Sequence, residues 1–164
     1  MNWYAMQVKS RHEFVTNSEL ARKDIETFVP AVRRQRQWKD RKKWVEFPLF
    51  PGYVFVHLQP AAEEFLSAVR TRGAVRLLSA EPGCPTPVAP EEIASLKIMM
   101  DSGQDFDIYP HLKEGSPVRV RRGPLAGAQG VLRTKDGQHL FGVNIELLGR
   151  SVAVKICAED LEAA

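Results

Sequence analysis

Apolar residues recur along this chain with two different periods, and the change between them falls near residue 101. WYAMQV, at 3–8, is an aromatic and apolar run that predicts an opening strand. From Arg11 to about Thr27, Phe14, Ala21, Ile25 and Phe28 recur at helical spacing among charged residues. That spacing predicts an amphipathic helix. Pro30 then closes the element, because proline restricts the residue before it and cannot continue a helix. Residues 29–50 read as a long hairpin with its tip near Lys39 and Asp40. GYVFVHLQ, at 52–59, predicts a short central strand rich in β-branched and aromatic residues. PAAEEFLSAVR predicts a helix starting at Pro60, with Glu63 and Glu64 in the first turn, where the helix dipole favours negative charge. Phe65, Leu66 and Val69 are its expected buried face, and GAVRLLS returns as a strand.

This succession of strand, helix, strand, strand, helix, strand is the ferredoxin-like or split βαβ pattern. It predicts an antiparallel sheet with helices on one face. A further helix is expected from Pro90, with Glu91 and Glu92 in its first turn and Ile93, Leu96 and Met100 on one side. DSGQDFDIYPH, at 101–111, is polar and aperiodic and reads as a linker. Beyond it the period becomes two. Val118 and Val120, then Phe141, Val143, Ile145 and Leu147, then Val152, Val154 and Ile156 alternate with polar or small residues. Such runs, broken by Gly123, Gly127, Gly130, Gly137 and Gly149, predict a small β-barrel, with Gly123, Gly127 and Gly130 supplying positive φ angles in its turns. The fold class is therefore α+β, in two domains: 1–101, a linker at 102–111, and 112–164.

Charge sharpens this picture. The net charge of the 164 residues is +3. Residues 1–46 hold 11 Lys and Arg against 6 Asp and Glu, whereas 47–110 hold 4 against 8. A basic first third points to a polyanionic partner. Its densest part runs from Arg33 to Lys43, where Arg33, Arg34, Arg36, Lys39, Arg41, Lys42 and Lys43 are seven cations in eleven residues. Trp38 and Trp44 flank the tip. Such a hairpin suits phosphates and an exposed base, although lysine on a strand edge also serves simply to prevent edge-to-edge pairing. Along LFPGYVFV, Tyr53 and Phe55 share one face and Val54 and Val56 the other. If the valines pack under the helices, the two aromatics form a candidate docking patch; the alternative is that all four are core.

Other chemistries find little support. His12, His57, His111 and His139 fall on separate elements, without the neighbours of a metal ligand set or a catalytic triad. Glu63–Glu64 and Glu91–Glu92 are adjacent pairs that diverge on a helix. GPLAGAQG, at 123–130, lacks the Gly-Lys-Ser/Thr ending and following helix of a phosphate loop. Cys84 and Cys157 have no metal or disulfide spacing and read as reduced thiols. No signal peptide and no run of ~18 apolar residues is visible. The expectation is a cytoplasmic, monomeric binding protein with no catalytic residues, metal or cofactor and no membrane partner.

WYAMQVKSRHE, PLFPGYVFVHL, and RTRGAVRLL followed by PTPVAPEEI resemble, in order, the N-terminal domain of NusG-like transcription factors. KEGSPVRVRRGPLAGAQGVLRTKDG, with ELLGRSVAVKI after it, resembles that family's C-terminal KOW domain. The resemblance implies that the first domain docks on the clamp helices of the largest RNA polymerase subunit and favours processive elongation. The docking residues it implies are Tyr53 and Phe55, with Tyr4 and Phe50 beside them. The basic hairpin would lie near upstream or non-template DNA. The KOW domain would recruit Rho or a ribosomal protein. Its partner-binding loop carries Leu125 and Ala128 where the family usually has bulky aromatics, a departure that points to a specialised antiterminator of the RfaH type. RfaH-like refolding of this domain into helices is disfavoured by its glycines and period-two pattern. The alternatives are the general factor acting with Rho or the ribosome, and a free RNA-binding or ribosome-associated protein. LFPGYVFV lacks the Lys/Arg-Gly-Phe lead of an RNA-recognition sheet, which argues against the last.

Overall fold

The opening run forms β1 (Asn2–Val8), and the 52–59 run forms β5 (Tyr53–Leu58). Between them lie α1 (Glu13–Arg22), β2 (Glu26–Phe28), β3 (Ala31–Trp38) and β4 (Arg41–Pro48); α2 (Ala62–Val69) and β6 (Ala74–Leu77) follow. The computed structural model describes residues 1–103, 106–110, 115–135 and 137–164. They divide into two units, 1–87 and 88–164. In the first, an antiparallel sheet runs β2-β5-β1-β6, the strand order of a ferredoxin-like fold. β3 and β4 pair only with each other, as a ribbon inserted between β2 and β5.

α1 is shorter than its periodicity predicts. Asp24 takes a positive φ of 60°. The amide of Ile25 donates to the carbonyl of Leu20, and that of Asp24 to Ala21. This is a Schellman ending, with Ile25 folding back towards the core around Leu20. Ile25 and Phe28 therefore leave the helix, and its buried stripe is Glu13, Thr16 and Leu20, whereas Phe14 and Ala21 are exposed. Leu66 of α2 is exposed too. The core joins Tyr4, Met6 and Val8 of β1 and Val54, Val56 and Leu58 of β5 to Leu20, Ala68 and Leu77, with Phe65 and Val69 against it. Each large apolar side chain so buried contributes roughly 1.5–3 kcal/mol relative to exposure. Gly73 is demanded by close approach, since a Cβ there would collide with the Thr16 hydroxyl. That hydroxyl donates to the Arg72 carbonyl at 2.8 Å.

In the second unit, α3 (Pro90–Asp101) precedes β7 (Asp107–Pro110), β8 (Ser116–Val120), β9 (Gln129–Lys135), β10 (Gln138–Ile145), β11 (Arg150–Lys155) and β12 (Leu161–Ala163). These strands form one antiparallel sheet in the order β12-β8-β9-β10-β11-β7. The fold class is α+β as predicted, a split βαβ sheet followed by an SH3-like β unit. Three details differ. α3, expected with the first domain, packs on β9 and β10; Ser95 Oγ accepts the Gln129 amide at 2.9 Å, and Met99 replaces Met100 on the buried side. Part of the expected linker is β7, paired with β11, while 104–105 and 111–114 lie outside the described residues. Leu147 sits in a 3₁₀ turn ended by left-handed Gly149 instead of extending β10. Gly123 and Gly127 have positive φ, but Gly130 answers a different need: a Cβ there would strike the Gly142 carbonyl on the neighbouring strand.

Candidate docking face and nucleic-acid interface

The register of β1 against β5 decides which side chains share a face. Tyr4 stands opposite Val56 and Met6 opposite Val54, so these point under α1 and α2. The other face carries Trp3 and Ala5 of β1, Tyr53, Phe55 and His57 of β5, and Glu26 and Phe28 of β2. Tyr53 and Phe55 thus do share the face away from the helices. Their exposure is not as expected. Phe55 is 0% exposed, with Phe28 stacked 6.2 Å away and Phe50 edge-on at 6.2 Å. Phe50 is also buried, and Tyr53 is half-buried. Tyr4 needs a second correction: it lies on the helix side, edge-on to Phe65 at 5.1 Å. The physical reason is strand parity, which puts Tyr4 opposite a valine and in the core.

The half-buried members of this face include three that sequence reasoning missed. Trp3 stacks on His57 at 4.7 Å with rings 16° from parallel, and His57 Nδ1 lies 3.0 Å from Glu26 Oε2. Phe28 completes the set. Alternation along β1 and β5 could have placed Trp3 and His57 on the Phe55 side; only the non-local register makes them neighbours.

The hairpin has its tip at Lys39 and Asp40, as predicted, with Lys39 at a φ of 28°. All seven cations are exposed. The ladder pairs Arg33 with Glu46, Arg34 with Val45, Gln35 with Trp44, Arg36 with Lys43 and Gln37 with Lys42. The Arg33 guanidinium lies 5.8 Å from the Trp44 ring centre, and that of Arg36 4.9 Å from Phe47. Trp44 is 56% exposed, a flat ring open to stacking. The ribbon is thus built from charge and main-chain pairing, with no buried side chain described on it.

In the second unit the expected partner-binding residues are not available. Leu125 and Ala128 are buried, at 4% and 0% exposure. The turn that holds them closes on itself, the Gly127 amide donating to Val120 and the Ala128 amide to Leu125. Leu125 forms part of the wall of a cavity of about 340 Å³, with Val120, Pro124 and Ile156. At its rim Arg122 Nε donates to Asp160 Oδ1 at 2.6 Å. Ile98 of α3 stands against Gly127, beside Ala128.

His12 and His139 make local hydrogen bonds, to the Ser10 carbonyl and with Thr134 Oγ1, and His111 lies outside the described residues. Among the described residues no group of three or more His, Cys, Asp or Glu could hold a metal, and no helix is long and apolar enough to cross a membrane. Cys84 and Cys157 are free and exposed.

A family model described as "Transcription termination factor nusG" matches residues 1–97. The transcription termination/antitermination protein NusG of Halalkalibacterium halodurans is 25% identical, over 98% of this chain and 97% of that protein. The protein of the same name from Bacillus subtilis is 28% identical, over 94% of each. A solved structure titled "Domain interaction in Thermotoga maritima NusG" superposes with a TM-score of 0.50 at 21% identity, covering 98% of this chain and 96% of that one. That likeness supports the fold.

Proposed function

Since the chain belongs to the NusG family of transcription termination and antitermination factors, we propose that it binds RNA polymerase through the helix-free face of its four-stranded sheet. The occupant is the pair of clamp helices of the largest subunit, and the effect is processive elongation through terminators. The observation that carries this reading is the one-sidedness of the sheet: both helices cover the Tyr4 face, while Trp3, Tyr53, His57 and Phe28 remain half-buried on the other. Tyr53 is the anchor, with Phe55 and Phe50 as the buried floor that holds it. Tyr4, beneath the helices, takes no part. An aromatic anchor covered by a partner is worth ~2 kcal/mol or more, a loss of roughly 30-fold in affinity on truncation.

The hairpin, on this reading, meets upstream or non-template DNA through its cationic surface, adding affinity and salt dependence with little sequence reading. Polymerase docking belongs to the sheet of the first unit, and recruitment of a further partner to the strands of the second, within 112–164. Leu125 and Ala128 shape the 123–128 loop from beneath and do not themselves touch that partner. The protein acts in the cytoplasm, as a monomer, at selected operons, in the manner of a specialised antiterminator. Near full-length similarity to proteins named for termination as well as antitermination favours a second reading, the general factor acting with Rho or the ribosome. A Rho-dependent termination assay in vitro separates the two.

The test of docking is Tyr53→Ala, measured by affinity for core RNA polymerase alongside thermal unfolding. The expected result is weakening of ~30-fold with the protein still folded at the assay temperature. Unchanged affinity removes the docking assignment.

A further inference from the structure

Resting on the reading that the hairpin meets DNA, we infer that only one of its faces does so. That face carries Arg34, Arg36, Arg41 and Lys43, and it takes the phosphodiester backbone and not the bases. Successive residues of a strand point to opposite sides, and directly paired residues point to the same side. The register therefore sorts the seven cations. Arg34, Arg36, Arg41 and Lys43 share one face with Val32, Val45 and Phe47. Arg33 and Lys42 share the other with Gln35, Gln37, Trp44 and Glu46. Lys39 belongs to the tip.

The two faces differ in kind. Among side chains described on the first there are four cations and no acid, and Arg36 and Lys43 stand directly opposite each other. Like charges so placed destabilise a ladder when nothing neutralises them. A bound polyanion turns that cost into binding energy through counterion release. Phe47 beneath Arg36 holds one guanidinium in place by its ring face.

The second face is nearly balanced. Glu46 stands opposite Arg33, which also lies over Trp44. It holds the amides suited to base edges and the exposed ring suited to stacking, in Gln35, Gln37 and Trp44. The phosphate-binding face lacks those amides. Contact through it is therefore indifferent to sequence.

The test compares two variants of the full chain with equal charge loss, Arg34→Gln with Lys43→Gln, and Arg33→Gln with Lys42→Gln. Each is titrated against fluorescein-labelled DNA, duplex and single-stranded in separate arms, over a range of salt concentrations. Circular dichroism checks the fold. The first variant should lose affinity in whichever arm the wild type binds, and its log–log salt slope should fall by roughly two, one per lost phosphate contact. The second should keep both within error, and scrambling the DNA sequence should change neither. Equal losses in the two variants, or a strong preference among sequences, overturn the facial assignment and leave DNA binding by the hairpin standing. A wild-type chain with no salt-dependent affinity in either arm takes both down.

Discussion

Two antiparallel ribbons in the first unit use the same main-chain pairing for opposite purposes. β1 and β5 register over six residue pairs, and residues on both faces are buried, Val54 and Val56 under the helices and Phe55 on the reverse. β3 and β4 register over eight pairs, yet no side chain described on them is buried. Ladder hydrogen bonds, at a net ~0.5–1.5 kcal/mol each, are common to both. What separates the ribbons is water. Where water is excluded, an aromatic ring belongs to stability first and to recognition second. Where it is not, the side chain is free to serve a partner, and changing it leaves the fold alone. The docking face and the hairpin must therefore be probed by different substitutions.

A graded series of aromatic truncations sharpens this contrast. Phe55→Ala opens a cavity between Phe28 and Phe50 and should cost about 3–5 kcal/mol in equilibrium urea unfolding. A cost under about 1 kcal/mol would mean that the ring's burial contributes little. Truncating Tyr53 and Phe55 together would therefore test docking poorly, since loss of polymerase binding would accompany loss of fold. Phe28→Ala, half-buried on the edge strand β2, removes one stacked partner and part of a covered surface. It should cost about 1–2 kcal/mol. A cost equal to that of Phe55→Ala would erase the distinction between centre and rim of the face. Trp44→Ala, on the hairpin, should shift unfolding by no more than ~0.5 kcal/mol despite removing the largest side chain of the three. A larger shift would show the ribbon to be part of a cooperative core.

The same contrast explains which expectations survived. The hairpin was legible down to its tip because its signals are local: a dense cationic run, flanking tryptophans, and alternation that needs no knowledge of neighbours. The shared face of Tyr53 and Phe55 was equally legible, because parity along one strand is a local property. Their exposure was not, since it depends on what Phe28, Phe50 and the rest of the chain bring to that face. The side of Tyr4 was not legible for a related reason, since it follows from pairing with Val56 across 52 residues. In the second unit, Leu125 and Ala128 sit in a turn whose glycines are plain in the sequence, while their burial depends on the turn's pairing back to β8 through Val120.

By itself, then, the amino-acid order determined the succession of strands and helices, the switch from helical to period-two patterning, the position of the cationic ribbon and the family resemblance. Each is encoded in residues close together along the chain. Tertiary structure alone decided where α1 stops, that α3 lies on β9 and β10, that Phe55 and Phe50 are sealed while Trp3 and His57 stack, and which cations share a face. These depend on register and burial between distant segments, where a one-residue shift reverses every side chain and only packing selects among the alternatives.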